Sequence, residues 1–305
     1  MAFKPANANK TGASTKFERD PNLKYPEPKA GLRPARVSLI VDLGIQDRED
    51  FEDPKTGEVK PQKPAHQVAV FADLTNDVVD YGGSIGKQQY RIALNKTFQG
   101  KMEGINFTAV PPRDADGNMI EGKKWGLHPA NLLTKLAKAT GHPDVIESMD
   151  IEVLLNEPVM VDVEVKKTES KDKKDEAGNP IVFTNVNFKG LSKVPNVEDE
   201  VGNEAPLKVK ALSATPMCIT FDNATAEQIQ YIRGNLIAKI KTANNYAGSK
   251  MQKAIEAYEA SKESKEDKAE EKEESFDDLP SAAPSKPKKI VAKPAADFDD
   301  PDIPF

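Results

Sequence analysis

The chain of 305 residues carries a net charge of -6 and is 38% hydrophobic and only 6% aromatic, a composition too polar for a protein folded from end to end, so one main domain shorter than the chain is expected. Its single cysteine, Cys218, excludes an internal disulfide and a cysteine-rich zinc module, and with no run of about 20 apolar residues and no apolar signal core in MAFKPANANK the expectation is a cytoplasmic protein. The acidity is local: Glu259 to Phe305 holds 14 acidic and 8 basic residues, leaving a neutral body with 35 of each sign, so composition neither requires nor excludes a polyanionic ligand.

Residues 1 to about 30, rich in Pro, Asn and Lys and without periodicity, read as a flexible N-terminal arm. In RPARVSLIVDLGIQ, Val37, Leu39, Val41 and Leu43 alternate with Arg36, Ser38, Ile40 and Asp42, the period of two of a half-buried strand. A charged insert, Asp47 to Lys63, reads as a loop or splayed hairpin. The alternation resumes in HQVAVFADLT, where Val68, Val70, Ala72 and Leu74 share one face and Phe71 lies on the other beside Gln67, Ala69 and Asp73. After the glycine turn of YGGSIGK comes a third strand, in which Tyr90, Ile92 and Leu94 alternate with Arg91 and Ala93. HPANLLTKLAKATG then predicts a short amphipathic helix with Leu132, Leu133, Leu136 and Ala137 inward, ended by Gly141.

EPVMVDVEVKKT predicts a fourth strand with Val159, Val161, Val163 and Val165 on one face. A charged hairpin tip, Glu169 to Asn179, leads to a fifth strand with Val182, Thr184, Val186 and Phe188 inward and Ile181, Phe183 and Asn185 outward. Five alternating strands with a helix between the third and fourth fit a mainly β chain built on an OB-fold, a five-stranded Greek-key barrel, against the alternative of a generic small barrel or sandwich. The domain is expected over residues 31–258, with added helices at about 224–260. Ile229, Ile232, Leu236, Ile237 and Ile240 form an apolar stripe there that needs covering, so these helices are expected to complete the domain in part. Residues 261–305 read as a disordered charged tail, and together with the arm they make both termini disordered.

That tail ends DFDDPDIPF: Asp297, Asp299, Asp300 and Asp302 precede Ile303, Pro304 and Phe305 with no basic residue among them. A solubilising run has no use for a phenylalanine, whereas Ile303 and Phe305 can fill an apolar pocket while the carboxylates meet a basic rim, which makes 297–305 a partner-binding tip. The ending resembles the acidic C-terminal tip of bacterial single-stranded-DNA-binding proteins. The body, through ARVSLIVDLGIQ, PAHQVAVFADL, Trp125 to Pro129, LLNEPVMVDVEV and FTNVNFKGLS, resembles the single-stranded-DNA-binding proteins of tailed bacteriophages. The resemblance implies a protein of an infected bacterial cell that covers single strands and recruits replication and recombination proteins through its tip.

Non-specific binding of single strands takes cations along a groove and aromatic faces on which bases stack. Phe71 and Phe183 qualify because alternation sets them away from the inward face. Tyr90 qualifies too, unless it packs with Ile92 and Leu94, and Trp125, beside Lys123 and Lys124, is either a base platform or a core anchor. For phosphates the candidates are Arg33, Arg36, Arg91, Lys96, Lys123, Lys124 and Lys189, on or beside the predicted strands.

No catalytic constellation is present in the sequence, and an enzyme is not expected. His66, His128 and His142 have no ligand partner at metal spacing, so no metal or cofactor is expected. Asp114 to Asn118 begins like a calcium loop, but Met119 and Trp125 stand where glycine and an acidic residue are required. The glycines near Gly82 lack the ending of a phosphate loop. Two other readings are an interaction scaffold that uses the tail without DNA, and a mediator that anneals complementary strands; self-association is compatible with any of these.

Overall fold

The computed structural model describes residues 27–53, 55–80, 87–95, 97–98, 101–112, 119–174, 178–198 and 202–274. Two compact units are distinguished, one up to Lys262 and one from Glu263 onward. The described part of the second is the end of a helix. The first is mainly β, built on a seven-stranded, largely antiparallel sheet. Its strands are β1 (Gly31–Gln46), β2 (Ala65–Asp80), β3 (Lys87–Ala93), β4 (Ile105–Asn106), β5 (Pro158–Lys174), β6 (Pro180–Ser192) and β7 (Met217–Ile219). The hydrogen-bonded order is β6-β5-β1-β2-β3, with β7 added to β1 and β4 to β2. β3 and β6 approach one another, but no ladder joins them, so the sheet is not closed by hydrogen bonds among the described residues.

The five strands expected from the alternation are β1, β2, β3, β5 and β6, and the helix expected between the third and fourth is α1 (Leu132–Thr140). Asn131 caps it by accepting from the Leu133 N–H, and Gly141 ends it in the left-handed conformation. Leu133, Leu136 and Ala137 are fully buried against the inner core, which holds Val68, Val70, Ala72 and Leu74 of β2 and Val159, Val161 and Val163 of β5. A four-residue helix, α2 (Val145–Ser148), follows.

β1 departs from simple alternation. Ala35 and Val37 face the inner core, yet so does Ile40, while Leu39, Val41 and Leu43 face the opposite side. The cause is a bulge at Ser38, between the pairs Val37–Ala72 and Leu39–Phe71, since one extra residue reverses the facing of those that follow, up to a second irregularity between Asp42 and Gly44. At the same point β1 changes neighbour, from antiparallel β5 (Gly31 to Arg36) to parallel β7 (Leu39 to Val41). The outer face then becomes apolar and is roofed by the C-terminal helices α3 (Ala226–Ile229), α4 (Gly234–Lys241) and α5 (Lys250–Glu274). Ile229, Ile232, Leu236, Ile240, Met251 and Ile255 of this roof are all buried against Leu39, Val41, Leu43 and Phe71. The apolar stripe after Ala224 thus covers the sheet, but on two helices rather than one, because the chain turns at Arg233 before Gly234. α5 is helical to Glu274, where a disordered tail is expected from residue 261. No helix among the described residues is long and apolar enough to cross a membrane.

Two positions test this two-layer packing. Gly44 has φ +76°, and an added Cβ would lie 2.6 Å from Ala243 Cβ and 2.7 Å from Phe221 Cζ, so sheet and roof meet there without room for a methyl group. Gly44→Ala is expected to cost about 2 to 4 kcal/mol, from left-handed strain plus overpacking, read as a lower melting temperature. Cys218, on β7, is buried, and desolvation, with Glu152 nearby, pushes its thiol up to about 12. The thiolate is therefore disfavoured in the native protein at neutral and mildly alkaline pH. Iodoacetamide at pH 8.5 is expected to label Cys218 slowly in buffer and rapidly in denaturing urea, as followed by intact mass.

Candidate nucleic-acid interface

Phe71 is not an exposed platform. It does lie on the face opposite Val70 and Ala72, as alternation requires, but that face is the roofed one, and the ring is 1% exposed. The Arg233 guanidinium sits 5.5 Å from its centroid, so part of the ring is covered by a cation of the roof itself. Tyr90 is partly buried against the inner core together with Ile92 and Leu94, the packing alternative. The Phe71 ring is closed to a base, whereas that of Tyr90 packs on the core and keeps part of its surface exposed.

The three arginines are engaged inside the fold. Arg33 makes a forked pair with Asp77, Nε at 2.9 Å and Nη2 at 3.0 Å. Arg36 donates to the carbonyls of Lys210 (2.9 Å) and Val209 (3.1 Å) and to that of Asn156, holding the segment after residue 207 against the sheet. Arg91 donates to both carboxylate oxygens of Asp73, at 2.8 and 3.2 Å, and Asp73, 2% exposed, also accepts from the Ser38 hydroxyl at 2.7 Å. A buried carboxylate is tolerable only when so paired, which makes Arg33 and Arg91 first of all the counter-ions of Asp77 and Asp73, while Arg36 is a clamp on backbone carbonyls.

Trp125 presents a different picture. Its indole is 58% exposed and flanked by exposed Lys123 and Lys124, neither of which forms an ion pair among the described residues. The loop that carries it is held from the next residue onward. Gly126 exchanges two backbone hydrogen bonds with Val110, at 2.8 and 3.1 Å, and Leu127, 3% exposed, donates to the Ile146 carbonyl at 2.8 Å. A Cβ at Gly126 would lie 2.3 Å from that same carbonyl oxygen, so the close approach requires glycine. The backbone next to this exposed tryptophan is thus anchored, and two cations adjoin it in sequence, a combination of ring and charge on which a base could stack.

A second cluster lies on the hairpin of β5 and β6. In its register Glu164 stands opposite Asn187, Lys166 opposite Asn185 and Thr168 opposite Phe183, so all six share one face. Lys189, the extra residue of a bulge, joins them through Glu164 at 3.6 Å, and Lys166 lies 3.0 Å from the same carboxylate. The Lys166 hydrogen bond, aided by Lys189, holds the Glu164 carboxyl below its usual range. Phe183 is half-buried, with its strand neighbour Val182 exposed, because this end of the hairpin runs past the core that receives Val186 and Phe188. Phe183 and Lys189 are thus brought to one face, about 20 Å apart along the strand.

Lys96 and the tip residues Asp297, Asp299, Asp300, Asp302, Ile303, Pro304 and Phe305 lie outside the described residues, as does the Asp114 to Asn118 turn. Two further groups belong with the candidates. Lys166 is exposed on the hairpin face just described. Phe51, 49% exposed, stands opposite Lys60 in the small hairpin of the charged insert. The signal for Phe51 was available, an aromatic residue without apolar neighbours in a charged segment, the same reasoning that singles out Phe305.

Comparison with protein-family models, curated proteins and solved structures returns no match for this chain. The contrast between the two rings is directly measurable. Phe71→Ala is expected to cost about 3 to 5 kcal/mol through the cavity it leaves, whereas Trp125→Ala is expected to stay within about 0.5 kcal/mol of the parent in urea unfolding.

Proposed function

We propose that the protein binds single-stranded DNA without sequence preference, as part of a phage replication and recombination module. It would do so on an OB-type barrel and recruit partner proteins through the acidic tip Asp297 to Phe305. The strand order β6-β5-β1-β2-β3, with α1 between the third and fourth strands of the barrel, supports the OB reading, because that fold is a partly open Greek-key barrel whose strands and connecting loops take up oligonucleotides. The observation that carries the function is Trp125, an exposed indole that follows two exposed lysines and precedes a backbone anchored at Gly126 and Leu127. One such stack contributes about 1 to 3 kcal/mol irrespective of base. Phe51 opposite Lys60 supplies a further ring and cation, and the β5–β6 hairpin places Phe183 on the same face as Lys166 and, farther along, Lys189.

Because Trp125 is the chain's one tryptophan, its fluorescence reports directly on this contact. Titration with poly-dT is expected to quench it, with affinity falling as salt rises by roughly 0.7 in log-log slope for each phosphate neutralised. Removal of Asp297 to Phe305 is expected to leave DNA affinity equal or higher while partner capture is lost. Absence of salt-sensitive poly-dT binding by the tail-deleted protein would remove the DNA reading and leave a tail-bearing scaffold. Acceleration of pairing between complementary oligonucleotides would instead mark an annealing mediator.

A further inference from the structure

Beside the roof, against the middle of β1 and β2 and along β3, lies a cleft of about 320 Å³. We propose that it is a subsite for one nucleotide of the bound strand; this rests on the DNA-binding reading and adds to it a place and a stoichiometry. The floor is the network of Ser38, Asp73 and Arg91, the rim carries Lys87, and the far wall is formed by Met217 and Tyr231.

The cleft is a built feature. Gln89, 7% exposed, donates to the Ala211 carbonyl and accepts from the Ser213 N–H, both at 2.9 Å, so its amide acts as one rung of a ladder and fixes the wall segment in place. Arg91 is preoriented by its two bonds to Asp73. Three buried polar side chains at one spot, all hydrogen-bonded, are costly to assemble and specify a fixed geometry. The size is at the small end of ligand sites, which run from about 300 to 1,000 Å³, so one planar ring and its sugar fit and a run of bases does not.

Charge narrows the ligand further. Among the described lining residues two cations, Lys87 and Arg91, face one carboxylate, Asp73, a balance of one positive charge. A phosphodiester link carries one negative charge, whereas a free nucleoside triphosphate carries several and would leave most of them uncompensated. Tyr231 offers a ring and Met217 a polarisable thioether to the faces of a base, and both tolerate any base. The geometry therefore selects an internal nucleotide of a strand over a free nucleotide.

Three variants test the assignment, each first compared with the parent by thermal melting. Against fluorescein-labelled oligo-dT, Tyr231→Ala is expected to weaken binding about tenfold, the scale of one lost stack, while Tyr231→Phe keeps the ring and binds as the parent does. Lys87→Ala, an exposed site, is expected to lower the log-log salt slope by roughly 0.7, one phosphate contact. Thymidine triphosphate is expected to compete far more weakly than poly-dT at equal nucleotide concentration. Parental affinity and slope in both Tyr231→Ala and Lys87→Ala, with Trp125→Ala weakened, would overturn the subsite and leave the DNA reading intact. Equal competition by the triphosphate would overturn the choice of a strand-bound nucleotide. Failure of the unaltered protein to bind oligo-dT would remove both.

Discussion

A strand that is apolar on both faces has to be covered on both sides, and β1 and β2 impose that condition on the whole molecule. Their inner residues close over the core that α1 plugs, and their outer residues, Leu39, Val41, Ala69 and Phe71, require a second layer. Each buried side chain of this size contributes about 1.5 to 3 kcal/mol relative to exposure. Leaving the outer set wet would forfeit an amount comparable with the whole stability of a domain. The bulge at Ser38 is what allows one strand to serve both layers, since it reverses the facing of β1 just where its neighbour changes from β5 to β7.

Double coverage also decides where a ligand can be met. The middle of the sheet is occupied by the roof, and the arginines nearest to it are counter-ions of Asp73 and Asp77. What remains accessible is peripheral: the Trp125 loop, the outer face of the β5–β6 hairpin, the small hairpin of the insert, and the cleft at the edge of the roof. Binding groups on loops held by a rigid frame are a common arrangement. Here the frame is visible in the clamps next to each site, Gly126 on Ile146 for the tryptophan and Gln89 on Ser213 for the cleft.

Much of this architecture is legible in the residues. The five main strands, the helix between the third and fourth with its Asn131 and Gly141 ends, and the need for a cover over Ile229, Ile232 and Leu236 follow from periodicity and capping alone. Phe71 was misread because alternation assigns a residue to one of two faces without saying which is wet. The run Val68 to Ala72 is apolar without a break, however, and that is the pattern of a strand buried on both sides. The pairing of Arg91 with Asp73 and of Arg33 with Asp77 was not readable, since it depends on which residues the strand register sets opposite or beside one another, and alternation alone does not fix register. The cleft was not readable either, because Gln89 and Ser213 are brought together across more than a hundred residues of chain. Trp125 stands between two readings in the sequence, and its exposure removes that of a core anchor.

The roof sets the limit to which this protein could be shortened. The last buried residue among those described is Ile255, on the first turns of α5. A chain cut before Ala226 would uncover Leu39, Val41, Phe71 and Ile219 together, a sticky patch inviting the molecules to clump, whereas a cut after Lys262 would spare every buried member of that layer among the described residues and the Lys241–Glu259 pair as well. Over evolutionary time, sheet and helices are then bound to change in concert.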